Sequence, residues 1–234
     1  MKLLAFETAT EACSVAVWDA GRVLARFEVA PRRHAELALP WAEQLLAEAG
    51  LARAQLDAIA VSRGPGAFTG VRLGIALAQG IALALDRPVV AASTLAVLAL
   101  RAHAAPGAQV LAAIDARMGE IYSAAFALDA AGPRPLSEAR VGAPDAIALP
   151  DDAGEWTGVG TGFAALDGEL ATRLGHRLAG VDAAALPHAA DLARLAAAAF
   201  ARGEALAPER VEPTYLRNNV ALTLAEQRAQ RAAR

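Results

Sequence analysis

The chain has a single cysteine, Cys13, among 234 residues. That excludes an intramolecular disulfide and any metal cluster built on cysteines, and it suits a reducing compartment. Aromatic residues make up 5% of the sequence and methionine occurs twice, so a core has to be filled by small aliphatic side chains. A basic excess is also missing. The 22 lysines and arginines are outnumbered by 25 acids, for a formal charge of −3, whereas a free-standing nucleic-acid binder carries a positive stripe. No Gly-Lys-Ser/Thr follows the glycine-rich run, and no Gly-x-Ser-x-Gly elbow occurs, which removes the P-loop and the hydrolase nucleophile turn. Four histidines, His34, His103, His176 and His188, fall at spacings that make no metal site. The first residues reach an acid, Glu7, too early for a signal-peptide core. The longest apolar helical run, Val71 to Leu85, contains Arg72 and Gln79 and reads as short of a membrane span. The expectation is a soluble cytoplasmic protein without a membrane partner.

What is abundant is alanine and leucine, within a hydrophobic share of 56%. At this length one large or two modest domains are expected. Leu3 to Phe6, Ser14 to Trp18 and Val23 to Val29 read as strands of an antiparallel meander, joined by the turns at Glu7–Glu11 and Asp19–Arg22. Leu37, Trp41, Leu45 and Leu46 recur at helical spacing between Arg33 and Ala49, with Gly50 as the stop. A strand over Leu56–Val61, a helix to Leu85, a strand at Pro88–Ala91 and a helix capped by Ser93-Thr94 and running to about His103 follow. Strands alternating with helices predict an α/β fold with a mostly parallel sheet.

The most informative stretch is Gly64-Pro65-Gly66-Ala67-Phe68-Thr69-Gly70. Three glycines and one proline in seven positions make a tight turn entering a helix, with Thr69 placed to cap it. Two readings stay open. Helix N–H groups and the helix dipole favour an anion there, with Gly64 and Gly66 as the cradle. Alternatively, Gly70, Gly74 and Ala78 recur every four residues and form a stripe on which another backbone packs, either this chain's own sheet and first helix or a partner's helix.

After Pro106-Gly107 the opening pattern repeats. Val110 to Ile114 ends at Asp115 as Leu3 to Phe6 ends at Glu7, and Asp129-Ala130-Ala131-Gly132 echoes Asp19-Ala20-Gly21. This reads as an internal duplication with Glu7 and Asp115 in equivalent places. Thr8 and Thr10 are either local turn formers or remnants of a phosphate or metal site. Pro144 to Gly154 reads as loop or short helix, Glu155–Gly160 as a strand and Ala189–Arg202 as a helix. Glu212–Asn219 is a polar segment without period, and Leu224–Arg234 an arginine-bearing tail.

Leu4–Ser14, Arg63–Gln79, Ala113–Tyr122 and Tyr215–Val220 together resemble the TsaB family, non-catalytic paralogues of TsaD in the bacterial machinery for tRNA threonylcarbamoyladenosine. The resemblance spans nearly the whole chain, and Gly-Pro-Gly-Ala-Phe-Thr-Gly-Val-Arg with Asp-Ala-Arg-Met-Gly-Glu carries it. It implies an actin/Hsp70/sugar-kinase-like fold of two related domains, each a mixed sheet flanked by helices, here 1–104 and 105–234. It further implies no catalytic residues, no metal and no cofactor of the chain's own, with ATP or ADP only at the level of a complex. The implied partners are TsaD in a heterodimer, TsaE, a functional link to TsaC, tRNA indirectly, and a second copy when alone. The contact face would comprise His34, Leu37, Trp41, Leu45, Gly70, Leu73, Gly74, Leu77 and Ala78. The other reading, an ATP-dependent phosphotransferase, would use Glu7, Thr8, Gly64, Gly66 and Asp115 around the nucleotide. The wider superfamily has Asp where this chain has Glu7. The catalytic paralogue has paired histidines where this chain has His34 followed a turn later by Ala38 and Leu39.

Overall fold

A computed structural model describes residues 1–150 and 154–217. The first sheet has five strands, β1 (Lys2–Glu7), β2 (Ala12–Asp19), β3 (Arg22–Val29), β4 (Ala58–Ser62) and β5 (Val89–Ala92), in the order β3-β2-β1-β4-β5. β1, β2 and β3 form the expected antiparallel meander, and β4 and β5 continue it in parallel. Helix α1 (His34–Ala49) feeds β4, and α2 (Phe68–Leu85) feeds β5. Side chains alternate along β1, so Leu4 and Phe6 pack with α1 and α2 while Leu3 and Ala5 meet the opposite face.

The second sheet is built from β6 (Gln109–Arg117), β7 (Glu120–Asp129), β8 (Gly132–Pro135), β9 (Arg140–Gly142), β10 (Trp156–Val159) and β11 (Leu178–Asp182). Its order is β11-β10-β6-β7-β8, with β9 also on β7. β6 and β7 pair as β1 and β2 do, so Asp115 sits near the end of its hairpin as Glu7 does in the first.

Helices cross between the halves. α3 (Thr94–Ala99) comes from the first half yet packs on β6 and β7, with Leu95 and Leu98 among Val110, Ala112 and Phe126. α5 (Ala189–Ala201) comes from the second half yet covers the first sheet, where Ala189, Leu192, Ala193 and Ala196 meet Leu3, Ala5, Ala58 and Ala60. α4 (Glu169–Leu174) closes the far face of the second sheet on Leu111, Trp156 and Phe163. A boundary at 104/105 therefore separates the two sheets but not the two cores. The alanines explain the close seat of α5, since neither surface projects a long side chain.

Some local expectations change. Ser93 makes no side-chain cap, and α3 ends at Ala99 before a short 3₁₀ turn. Thr69 is the second residue of α2, whose N-cap is Ala67 without a side-chain bond, so the threonine is not the cap. α2 is also long enough and apolar enough to cross a membrane by length and composition, contrary to the sequence reading. One of its faces, however, is packed: Gly70, Val71, Gly74, Ile75, Ala78 and Ala82 are buried, and the helix lies on β4. Residues 151–153 of the expected loop, together with Asn218, Asn219, Val220 and the arginine-bearing tail, fall outside the described residues.

The glycine stripe fixes how near α2 can come to the β1–β2 turn. A methyl at Gly70 would overlap the Thr8 carbonyl oxygen, and at Gly66 that of Ala9. At Gly80 a methyl would meet nothing within 4 Å. Gly70→Ala should therefore cost about 3 kcal/mol or more in urea unfolding. Gly80→Ala should instead gain roughly 0.5–1 kcal/mol by helix propensity. Equal effects would contradict the packing.

Candidate functional site

Two candidate residues, Glu7 and Thr8, lie at the β1–β2 turn, and both are bonded inside the chain. Glu7 is fully buried; its Oε1 accepts from Ala9 N at 2.9 Å and its Oε2 from the Ser62 hydroxyl at the end of β4. Burial pushes its pKa from 4.5 up to about 7, against the lowering effect of those two donors. Thr8 Oγ1 donates to Gly70 O at 2.8 Å, and Ala67 N donates to Ala9 O at 2.7 Å. The chain itself thus occupies Ala67 N and Gly70 O at the entry to α2. Gly66 faces Ala9, and Gly64, before a cis proline, faces Thr214 O. Glu7, Thr8 and Gly64 are buried and bonded inside the chain, which gives them a structural part, whereas Gly66 is half-buried and lines the cleft described below.

The partner-facing set also divides. Gly74 would place a methyl 2.6 Å from Thr8 Oγ1, while Ala78 and Leu45 lie in the core at 0% and 1% exposure. Gly70, Gly74, Ala78 and Leu45 serve internal packing rather than another protein. His34 is buried too; its Nε2 donates toward Thr10 O at 2.9 Å and Ala12 O at 3.2 Å, tying α1 to the same turn. What stays accessible is Leu37, Trp41, Leu73 and Leu77, all half-buried, with Leu39, Phe68 and Leu83 exposed nearby on the two helices.

Between the sheets runs a cleft of about 760 Å³, lined by the β1–β2 turn, the start of α2, the β6–β7 hairpin and residues 214–217. Asp115 reaches this cleft but not Glu7's surroundings: its carboxylate takes Arg117 N and Arg117 Nη1, each at 2.7 Å. A strap over 207–217 crosses the mouth. Gln79 Nε2 donates to Pro208 O and Val211 O, and Thr214 N to Arg63 O. Arg72 Nε donates to Tyr215 Oη at 2.6 Å. Arg217 then reaches the second hairpin, bonding Glu120, Ala116 O and Arg117 O. The strap's sequence signals were its polarity and the resemblance of its end, from Tyr215 on; its partners lie far off in the chain.

Sequence also hid a serine–histidine approach. Ser14 Oγ lies 3.5 Å from His188 Nδ1, across 174 positions. The serine hydrogen is taken up by Arg26 O, and its oxygen accepts from Ala189 N. His188 Nδ1 accepts from Ala190 N as the cap of α5, and burial lowers its pKa. With Ser14 fully enclosed, the pair closes a helix end rather than activating a nucleophile. Cys13, its thiol pushed up to about 12 by burial and then by the Glu28 and Glu7 charges, is equally inert. Among the described residues no group of three or more His, Cys, Asp or Glu is placed to hold a metal.

Two mixed sheets, each opened by an antiparallel hairpin and flanked by helices, are the actin/Hsp70/sugar-kinase-like class. A family model described as TsaD, tRNA N6-adenosine threonylcarbamoyltransferase, matches residues 27–224. The tRNA threonylcarbamoyladenosine biosynthesis protein TsaB of Escherichia coli is 44% identical over 94% of this chain and 96% of its own length. The protein of the same name from Haemophilus influenzae is 36% identical over 94% and 95%. A solved structure of YeaZ from Pseudomonas aeruginosa superposes with a TM-score of 0.82 and 47% identity, covering 92% of this chain and 99% of that one. The chain belongs to the TsaB family, and its part is in tRNA threonylcarbamoyladenosine biosynthesis.

The buried carboxyl gives a pH test. Glu7 holds its proton more tightly folded than unfolded, so its contribution is fully present below pH 4.5 and is lost as pH rises through about 7. Glu7→Gln should remove this loss, shrinking the fall in unfolding free energy between pH 5 and 8 by roughly 3 kcal/mol. An unchanged pH profile would show that the carboxyl titrates normally.

Proposed function

We propose that the chain is a non-catalytic subunit of the complex that forms N6-threonylcarbamoyladenosine at position 37 of tRNAs reading codons that begin with A. It pairs with TsaD through the flank of α1 and α2 that carries Leu37, Trp41, Leu73 and Leu77, and the pair recruits TsaE. TsaC supplies the threonylcarbamoyl-adenylate. ATP or ADP belongs to the assembled complex, tRNA is met through it, and the compartment is the cytoplasm. Without TsaD, a second copy covers the same flank.

One observation carries this reading. Glu7 and Thr8 are taken up by bonds inside the chain, to Ala9, Ser62 and Gly70, whereas apolar side chains on α1 and α2 remain partly uncovered. Chemistry needs groups that can reach a substrate; scaffolding needs a surface. The phosphotransferase alternative would require Glu7 to leave Ser62 and Ala9 and enter solvent.

Gly74 is the wrong place to test pairing, because any side chain there collides with Thr8 inside the same chain. Leu73 and Leu77 are one helical turn apart on the accessible flank. The Leu73→Glu, Leu77→Glu double variant should keep its fold by circular dichroism yet bind purified TsaD at least about thirtyfold more weakly in calorimetry. Unaltered binding would overturn the assignment of this flank.

A further inference from the structure

At the start of α2, Arg72 is held in an unusual setting for an exposed residue. Its Cζ lies 3.8 Å from the centroid of the Phe68 ring. Nε donates to Tyr215 Oη at 2.6 Å, and the two rings lie 5.9 Å apart at 27°. The guanidinium is therefore fixed on one side by an aromatic face and at one nitrogen by the strap. Nη1 and Nη2 have no partner among the described residues, and no carboxylate pairs with Arg72 there. Phe68 remains 58% exposed and Tyr215 46%.

Two of the neighbouring cations are already neutralised. Arg117 is paired with Asp115, and Arg217 with Glu120. A guanidinium with ordered stem and open fork matches a carboxylate in two parallel bonds, and holding it in advance lowers the entropy lost on binding. The exposed rings beside it would seal such a pair from water, as the surroundings of interface hot spots do.

We propose that Arg72 is a preformed anchor for an acidic side chain of the protein partner, with Phe68 and Tyr215 forming the apolar collar around that ion pair. RNA fits less well. Its backbone needs several free cations in a row, and this chain is acidic overall at −3 with two of the local arginines internally paired. The inference rests on the TsaD pairing proposed above and names the chemistry that pairing requires at the N-terminal end of α2. The partner surface must present an Asp or Glu within an apolar border.

Calorimetry of full-length variants with purified TsaD tests it, at low and high salt and with tRNA as a parallel titrant. Arg72→Ala should weaken TsaD binding by roughly thirtyfold and flatten the salt dependence. Arg72→Lys should recover little, because lysine keeps the charge without the planar fork. Phe68→Ala should weaken binding in the same direction, and each variant's melting curve checks that it folds. If Arg72→Ala binds within about twofold of the parent while the leucine double variant fails, the anchor is overturned and the pairing stands. If both bind normally, anchor and pairing fall together. Loss of tRNA affinity with TsaD affinity intact also overturns the anchor, in favour of an RNA contact.

Discussion

Everything in the first half depends on the seating of the β1–β2 turn in the glycine stripe of α2. Thr8 donates to Gly70 O and Ala67 donates to Ala9 O, and those bonds form only because Gly66, Gly70 and Gly74 lack side chains there. The same turn receives His34 from α1 and places Glu7 under Ser62 of β4. One close approach thus sets the position of two helices and three strands. Glycines weaken a helix by about 1 kcal/mol each relative to alanine, and the backbone contact that they admit offsets that loss.

The acids at the two hairpin ends are likewise held inside the chain. The acid at the end of β1 is enclosed rather than presented, and its raised pKa reflects burial. Its counterpart Asp115 is taken by Arg117. The duplication survives in topology, with β6–β7 repeating β1–β2, while the two hairpin ends have diverged in what they hold.

Much of the architecture was legible in the sequence because its signals are local. The apolar runs Leu3–Phe6 and Ser14–Trp18, the four-residue recurrence of Leu37, Trp41 and Leu45 and the glycine stop at Gly50 each state an element within a few residues. The four-residue recurrence of Gly70, Gly74 and Ala78 likewise announced a close contact. It carried no information on who makes that contact, since Thr8 is 62 positions from Gly70. The crossing of α3 and α5 to opposite sheets, the capping of α5 by His188 beside Ser14 and the strap that ends at Arg217 share that cause. All join segments with no sequence relation, and the strap's polar residues have no period to mark them. At the candidate site, the half-buried flank of Leu37, Trp41, Leu73 and Leu77 agrees with helical spacing, while the buried members of the same pattern were separated from it only by the packing.

The most direct measurement is reconstitution of tRNA threonylcarbamoylation from purified TsaC, TsaD and TsaE, with this chain present, omitted, or replaced by the Leu73, Leu77 variant. The account predicts modified tRNA only with the unaltered chain, and little or none in the other two reactions. Modification undiminished by its omission would contradict it.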